Sequence, residues 1–186
     1  MRRFLWICLA VLVVPVVVPA QPHHSPYAGG EKRAVKTLSE EERRALLQGE
    51  GMGLARAAEL NHYPGPRHVL DLAAPLQLSE AQRAEARTIY ERMHGEAVRL
   101  GALIVDRERD LDQLFATRAA SAQTLHQLAS EIAQLRGALR VTHLQAHVEM
   151  RGVLSDAQVA TYDQLRGYRA SAASQPQTGS QHHHHR

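Results

Sequence analysis

An apolar stripe running from residue 86 to residue 115 limits this chain more than any other feature. Ala86, Ile89, Met93, Ala97, Leu100, Ile104, Leu111 and Phe115 follow one another in steps of three and four, with Glu108 in the one remaining place. Such steps keep side chains on one face of a helix and do not suit a strand, whose period is two. A stripe this long and narrow must be covered by a second long helix lying at a shallow angle. Leu125, Leu128, Ile132, Leu135, Leu139, Ala146 and Met150 supply that partner with the same steps. Between the two, Ala116-Thr117-Arg118-Ala119-Ala120-Ser121 loses the pattern and brings a new helix cap. A connection so short makes the helices antiparallel neighbours. Strand alternation is absent from the sequence, so the expected fold is all-α: a long antiparallel helical hairpin with shorter flanking helices.

The helix starts are written as capping boxes, in which a Ser or Thr hydroxyl and the Glu or Gln three residues on cap each other's backbone. Ser39 with Glu42 opens a first short helix, which ends at the glycines of Gly49-Glu50-Gly51-Met52-Gly53. Those glycines lack the Lys-Ser/Thr and the flanking strand of a phosphate loop. Leu54 to Leu60 forms a second, Ala-rich helix, stopped by Asn61-His62-Tyr63-Pro64-Gly65-Pro66-Arg67-His68, where His62 and His68 read as turn residues. Leu78-Ser79-Glu80-Ala81-Gln82 opens the long helix, and Leu154-Ser155-Asp156-Ala157-Gln158 opens the last one.

The ends of the chain read differently. Arg2 and Arg3 precede a fifteen-residue apolar run, Phe4 to Val18, and Val18-Pro19-Ala20 offers small residues for cleavage. Residues 1–20 therefore read as a secretory signal peptide, too short in its apolar part for a typical membrane span. Cys8, the only cysteine, lies inside it, so no disulfide supports the mature protein. Removing Arg2 and Arg3 takes the 22 Lys plus Arg to 20, against 19 Asp plus Glu. That near balance, with charges interspersed, excludes a nucleic-acid footprint. Residues 21–37 are expected to form a flexible lead, 38–67 the short helices and Pro/Gly turn, 68–168 the hairpin domain, and 169–186 a disordered tail containing His182, His183, His184 and His185.

One group of side chains has a case for chemistry. His143, His147 and Met150 share a helix face. If the hairpin folds near residue 118 or 119, His94 falls opposite His143 and Tyr90 opposite His147. Imidazole with thioether suits Zn²⁺, copper, nickel or cobalt, and donor softness does not choose among them. A polar patch of half-exposed histidines is the competing reading. The pair lacks the Glu of a metalloprotease helix, since Gln145 and Ala146 occupy its interior. A Ser/His/Asp order, paired pocket carboxylates and a phosphate loop are also missing. The chain is therefore expected not to be an enzyme and to hold no organic cofactor. Glu108 is expected to pair with a neighbour such as Ser130 or Arg136 and to fix the register of the seam.

The two Leu-Ser-x-x-Gln starts, at Leu78 to Gln82 and Leu154 to Gln158, bracket the hairpin behind a secretory signal. In this the chain resembles the LTxxQ family of periplasmic proteins: Spy/CpxP-like chaperones and the related metal-responsive sensor proteins. Ser replaces the family's Thr in both motifs, a neutral change for an N-cap. The resemblance implies a periplasmic, non-enzymatic, cradle-shaped homodimer acting in envelope stress or heavy-metal resistance. For the metal-responsive branch it implies histidine and methionine ligands, similar in kind to His143, His147 and Met150. A family His-x-x-x-Met pair would place Met at 147, where this chain has His. For the chaperone branch it implies a surface for unfolded envelope proteins, where Arg83, Arg87, Arg99 and Arg107 could serve. A membrane-bound regulator is the partner implied for a sensor.

Overall fold

A computed structural model describes residues 25–168. The expected signal peptide and the four tail histidines lie outside these residues. After a 3-10 turn at Gly30–Lys32 come six helices: α1 Glu40–Leu47, α2 Arg56–Glu59, α3 Pro66–Asp71, α4 Glu80–Ala116, α5 Ala122–Val153 and α6 Asp156–Leu165. The fold is all-helical among the described residues, and none of these helices is long and apolar enough to cross a membrane. α4 and α5 form the expected hairpin, with α1 lying along α4 and α3 wedged against both.

Serine starts four of the helices. Ser39, Ser79, Ser121 and Ser155 each accept from the backbone N–H three residues on, while that residue's side chain accepts from the serine N–H. α3 was not anticipated, because Pro64, Gly65 and Pro66 read as a turn. Pro66 instead occupies the first turn of α3, where its missing N–H costs nothing and its fixed φ suits a helix. α6 stops at Leu165.

The helix ends also share a device. Gly49, His62, Gln77, Arg118 and Gly167 all take positive φ. In each case the following N–H reaches a carbonyl five residues back, as in Ala119 to Leu114 (2.9 Å) and Leu78 to Ala73 (3.0 Å). This closure satisfies carbonyls that the helix leaves open and turns the chain sharply.

Two buried clusters fill the fold. At the open end, Val69, Leu76, Ile89, Met93, Met150, Leu154, Val159 and Tyr162 pack together. Farther along, Val35, Leu38, Leu46, Leu100, Ile104, Val105 and Leu139 form the second. Val35, inside the expected flexible lead of residues 21–37, is buried, as is Leu38 just after it. They are 1% and 2% exposed, because the hairpin leaves an apolar face there and each such side chain gains about 1.5–3 kcal/mol by covering it. The same segment is pinned by Lys36 to Asp112 (3.0 Å) and by Thr37 donating to Glu108 (2.8 Å). Glu108, 6% exposed, accepts from Arg136 at 2.8 Å, the partner its place in the stripe called for. α1 meets α4 backbone to helix: a Cβ on Gly101 would stand 2.0 Å from the Leu46 carbonyl oxygen.

The motif glutamines do more than cap. Gln82 and Gln158 donate to each other's side-chain oxygen at 2.9 and 3.1 Å. Gln82 also donates to the Val153 carbonyl (2.9 Å) and Gln158 to the Leu76 carbonyl (3.2 Å). Each amide thus caps its own helix and ties it to the segment that precedes the other. Each such bond contributes about 1 kcal/mol net, and a partner left buried and unsatisfied costs about 1–3 kcal/mol. We expect Gln82→Ala and Gln158→Ala each to lower stability by about 1–3 kcal/mol in urea unfolding. The double variant should lose less than the sum by at least about 0.5 kcal/mol. Simple additivity would show that the two amides act only as separate caps.

Candidate functional site

The open end of the hairpin carries a pocket whose walls come from five parts of the chain. α5 supplies His143 and His147, α4 supplies Tyr90, Met93 and His94, and α3 supplies His68. The loops after α1 and before α3 close it with Gln48, Gly49 and Gly65. Its volume is about 180 Å³, and a second pocket of about 380 Å³ shares His68, His143 and His147 with it. His94 and His143, expected to face each other across the hairpin, both line this pocket.

The hydrogen bonds fix the imidazoles. His147 Nδ1 lies 2.7 Å from the Tyr63 carbonyl oxygen. A carbonyl only accepts, so Nδ1 carries the proton and the neutral ring keeps its lone pair on Nε2. His94 Nε2 lies 3.0 Å from the Gln48 carbonyl, which leaves its lone pair on Nδ1, and the ring stacks on Tyr90. A Cβ on Gly65 would stand 2.9 Å from His147 Cε1, so this position lets the backbone lie directly on the ring. His143 is 4% exposed, and its Nε2 is buried without a hydrogen-bond partner. Burial, then the neighbouring His147 and His94, holds the His143 imidazole below its usual pKa. Burial and then Arg166 does the same to His68. Both effects disfavour the charged ring and keep nitrogen lone pairs available at neutral pH.

Behind His147 stands a polar group the sequence reading did not single out. Glu59 Oε1 accepts from Tyr162 (2.5 Å) and Tyr168 (3.1 Å) and lies 3.4 Å from Arg166 Nε. Its Oε2 faces His147 Nδ1 at 3.5 Å and, buried, has no hydrogen-bond partner. Burial and then Glu59 push the Tyr162 hydroxyl far above the usual phenol range, so it stays a donor. Next to Tyr162 in the chain, fully buried Asp163 meets His62 Nδ1 at 2.8 Å. Nothing in the Ala-rich run around Glu59 signals this role; only the fold brings it to Tyr162. His68 was visible as a histidine, but its assignment to a turn hid the helix that turns it toward the pocket.

Three expected residues, His94, His143 and His147, therefore line one pocket. Met150 does not join them: it is fully buried in the open-end core, where a thioether packs as a hydrophobe. Glu149 pairs with Arg92 beside a separate groove. Arg83, Arg99 and Arg107 pair along α4 with Glu80, Glu96 and Asp110, and Arg87 is exposed. Among the described residues no three His, Cys, Asp or Glu side chains are already grouped to hold a metal ion. The donor set still fits one in kind. Neutral imidazole suits a divalent transition ion, and among the described residues the buried His143 Nε2 has no hydrogen-bond partner.

A family model described as LTXXQ motif family protein matches residues 66–166. Curated proteins and solved structures give no match to the chain. The matched stretch covers more than half of the 186 residues and takes in both Leu-Ser-x-x-Gln starts, α3 to α6 and most of the pocket. The chain belongs to the LTXXQ motif family.

Proposed function

We propose that this protein is a non-enzymatic periplasmic sensor or resistance protein that takes up a divalent transition metal ion at the His68–His143–His147 pocket. The observation that carries the reading is the His143 imidazole, buried with its Nε2 lacking a hydrogen-bond partner among the described residues. A buried polar atom without a partner costs about 1–3 kcal/mol, and a ligand that accepts its lone pair recovers that loss. Glu59, with His147 between it and the pocket, is placed to orient a ligating imidazole from behind. The N-terminal sequence and the family membership support export to the periplasm.

The test is a thermal-shift titration with Zn²⁺, Cu²⁺, Ni²⁺ and Co²⁺ on a chain carrying His182→Ala, His183→Ala, His184→Ala and His185→Ala. A ligand at a hundred times its Kd stabilises the native state by about 2.7 kcal/mol. Adding His143→Ala with His147→Ala should abolish the shift; an equal shift in that variant sinks the site.

A second reading has its own observation. Phe115, Val141 and Val148 are 60%, 58% and 59% exposed on the hairpin, and Leu103, Leu135 and Ala138 line an open groove. These suit an ATP-independent holdase. Suppression of a model client's aggregation without metal would support it, and none at several-fold excess would remove it.

Proton linkage gives a further check. His143 and His68 bind protons more weakly in the native state than at the ordinary imidazole value of 6.5. The unfolded chain therefore takes up more protons as pH falls through that value, and native stability falls with it. Without metal, Tm should drop by a few degrees between pH 7.5 and 5.5, and the slope should flatten in His143→Gln. An unchanged slope would mean that this ring is not held neutral by the fold.

A further inference from the structure

Residues 48–68 form a strap across the open end, and its attachments use the same rings that line the pocket. His94 Nε2 holds the Gln48 carbonyl at its start, and His147 Nδ1 holds the Tyr63 carbonyl near its end. Gly65 rests on the His147 ring, and His68 stands where the strap enters α3. Between these points the backbone takes positive φ at Gly49, Met52, Gly53 and His62, so little of it is held by regular helix. It is also tied to α6, Glu59 to Tyr162 and His62 to Asp163, while Leu54 packs on the second core cluster and α2 touches α5.

We infer that this strap is the moving part through which occupancy of the pocket is communicated: filling the pocket tightens residues 48–68, and lifting them weakens the site. The inference rests on the metal-uptake reading and adds its regulation. Two physical links carry it. A cation on the free nitrogen of an imidazole draws electron density from the ring, so the opposite N–H becomes a stronger donor to its carbonyl. For His147 and His94 those carbonyls belong to the strap. Second, the donors are not grouped in the present arrangement. Gathering His68 with His143 and His147 would draw the strap's end and α3 toward α5, since His68 is carried on α3 and the other two on α5. The coupling is reciprocal by thermodynamic necessity. Anything that grips or displaces the strap changes the affinity of a pocket it does not touch.

Hydrogen exchange on the full chain, read by peptide mass spectrometry with and without Zn²⁺, tests this directly. Amides in 49–65 should exchange at least tenfold more slowly with zinc, while those at the hairpin tip, 110–130, should not change. His143→Gln should remove the zinc-induced protection. His62→Gly touches no residue of the pocket wall and suits the positive φ there, but cuts the strap's tie to Asp163, and zinc affinity at the pocket should fall at least tenfold by calorimetry. That calorimetry uses the chain with His182→Ala, His183→Ala, His184→Ala and His185→Ala. Should His62→Gly not fold, Tyr162→Phe, which loosens the hold on Glu59, replaces it with the same expected direction. Zinc bound in a His143-dependent way with unchanged exchange at 49–65 overturns the strap and leaves the metal reading standing. No His143-dependent binding overturns both.

Discussion

The exchange of hydrogen bonds between Gln82 and Gln158 is the constraint on which the rest of the structure depends. A helical hairpin is closed at its tip by its own short connection, but its open end is free to splay. Here each amide is anchored by its own helix start and reaches the carbonyl of the segment leading into the other. The start of α4 and the start of α6 are thereby fixed to each other. α5 is drawn in through Val153, and α3 through the segment ending at Leu76. The histidine pocket lies at this tied end. Its imidazoles come from three helices whose relative positions the two amides help to set, and its polar backing, Tyr162, is carried on α6.

Glu108 does the corresponding work farther along. A carboxylate in a seam of apolar side chains is unfavourable unless satisfied, and here Arg136 and Thr37 satisfy both oxygens. One bond runs to α5 and the other to the segment before α1, so a single buried charge aligns three parts of the chain. Polar groups thus specify the alignment at both places, while the apolar clusters between them supply the bulk of the driving force.

How much of this was readable in the sequence follows from the range of each interaction. The two long helices, their serine caps and the antiparallel register rest on local spacing, and they appear as expected. So does the Glu108–Arg136 pair, because a lone carboxylate in an apolar stripe demands a partner within reach. The turns were harder. Glycine marks only Gly49 and Gly167 among the five left-handed helix ends; His62, Gln77 and Arg118 adopt the same conformation without any sign in the side chain. α3 was hidden because Pro at a first helical position and Pro in a turn look alike. Glu59 and Tyr162 lie about a hundred residues apart and meet only through the tertiary fold. Met150 shows the opposite failure: it sits on the correct helix face beside His143 and His147, yet the core claims it. Periodicity says which way a side chain points, not what fills the space in front of it.

The backbone contact at Gly101 bears on how the open end can move. No side chain stands between α1 and α4 there, so no rotamer change can let one slide past the other. The end of α1 is fixed against the α4 cylinder, and Gly49 lies close to Val98 and the His94 carbonyl. The chain that follows leaves from a fixed pivot. A segment anchored in this way swings about its origin, with displacement growing along its length, and its greatest leverage falls where Tyr63 and Gly65 meet the His147 ring.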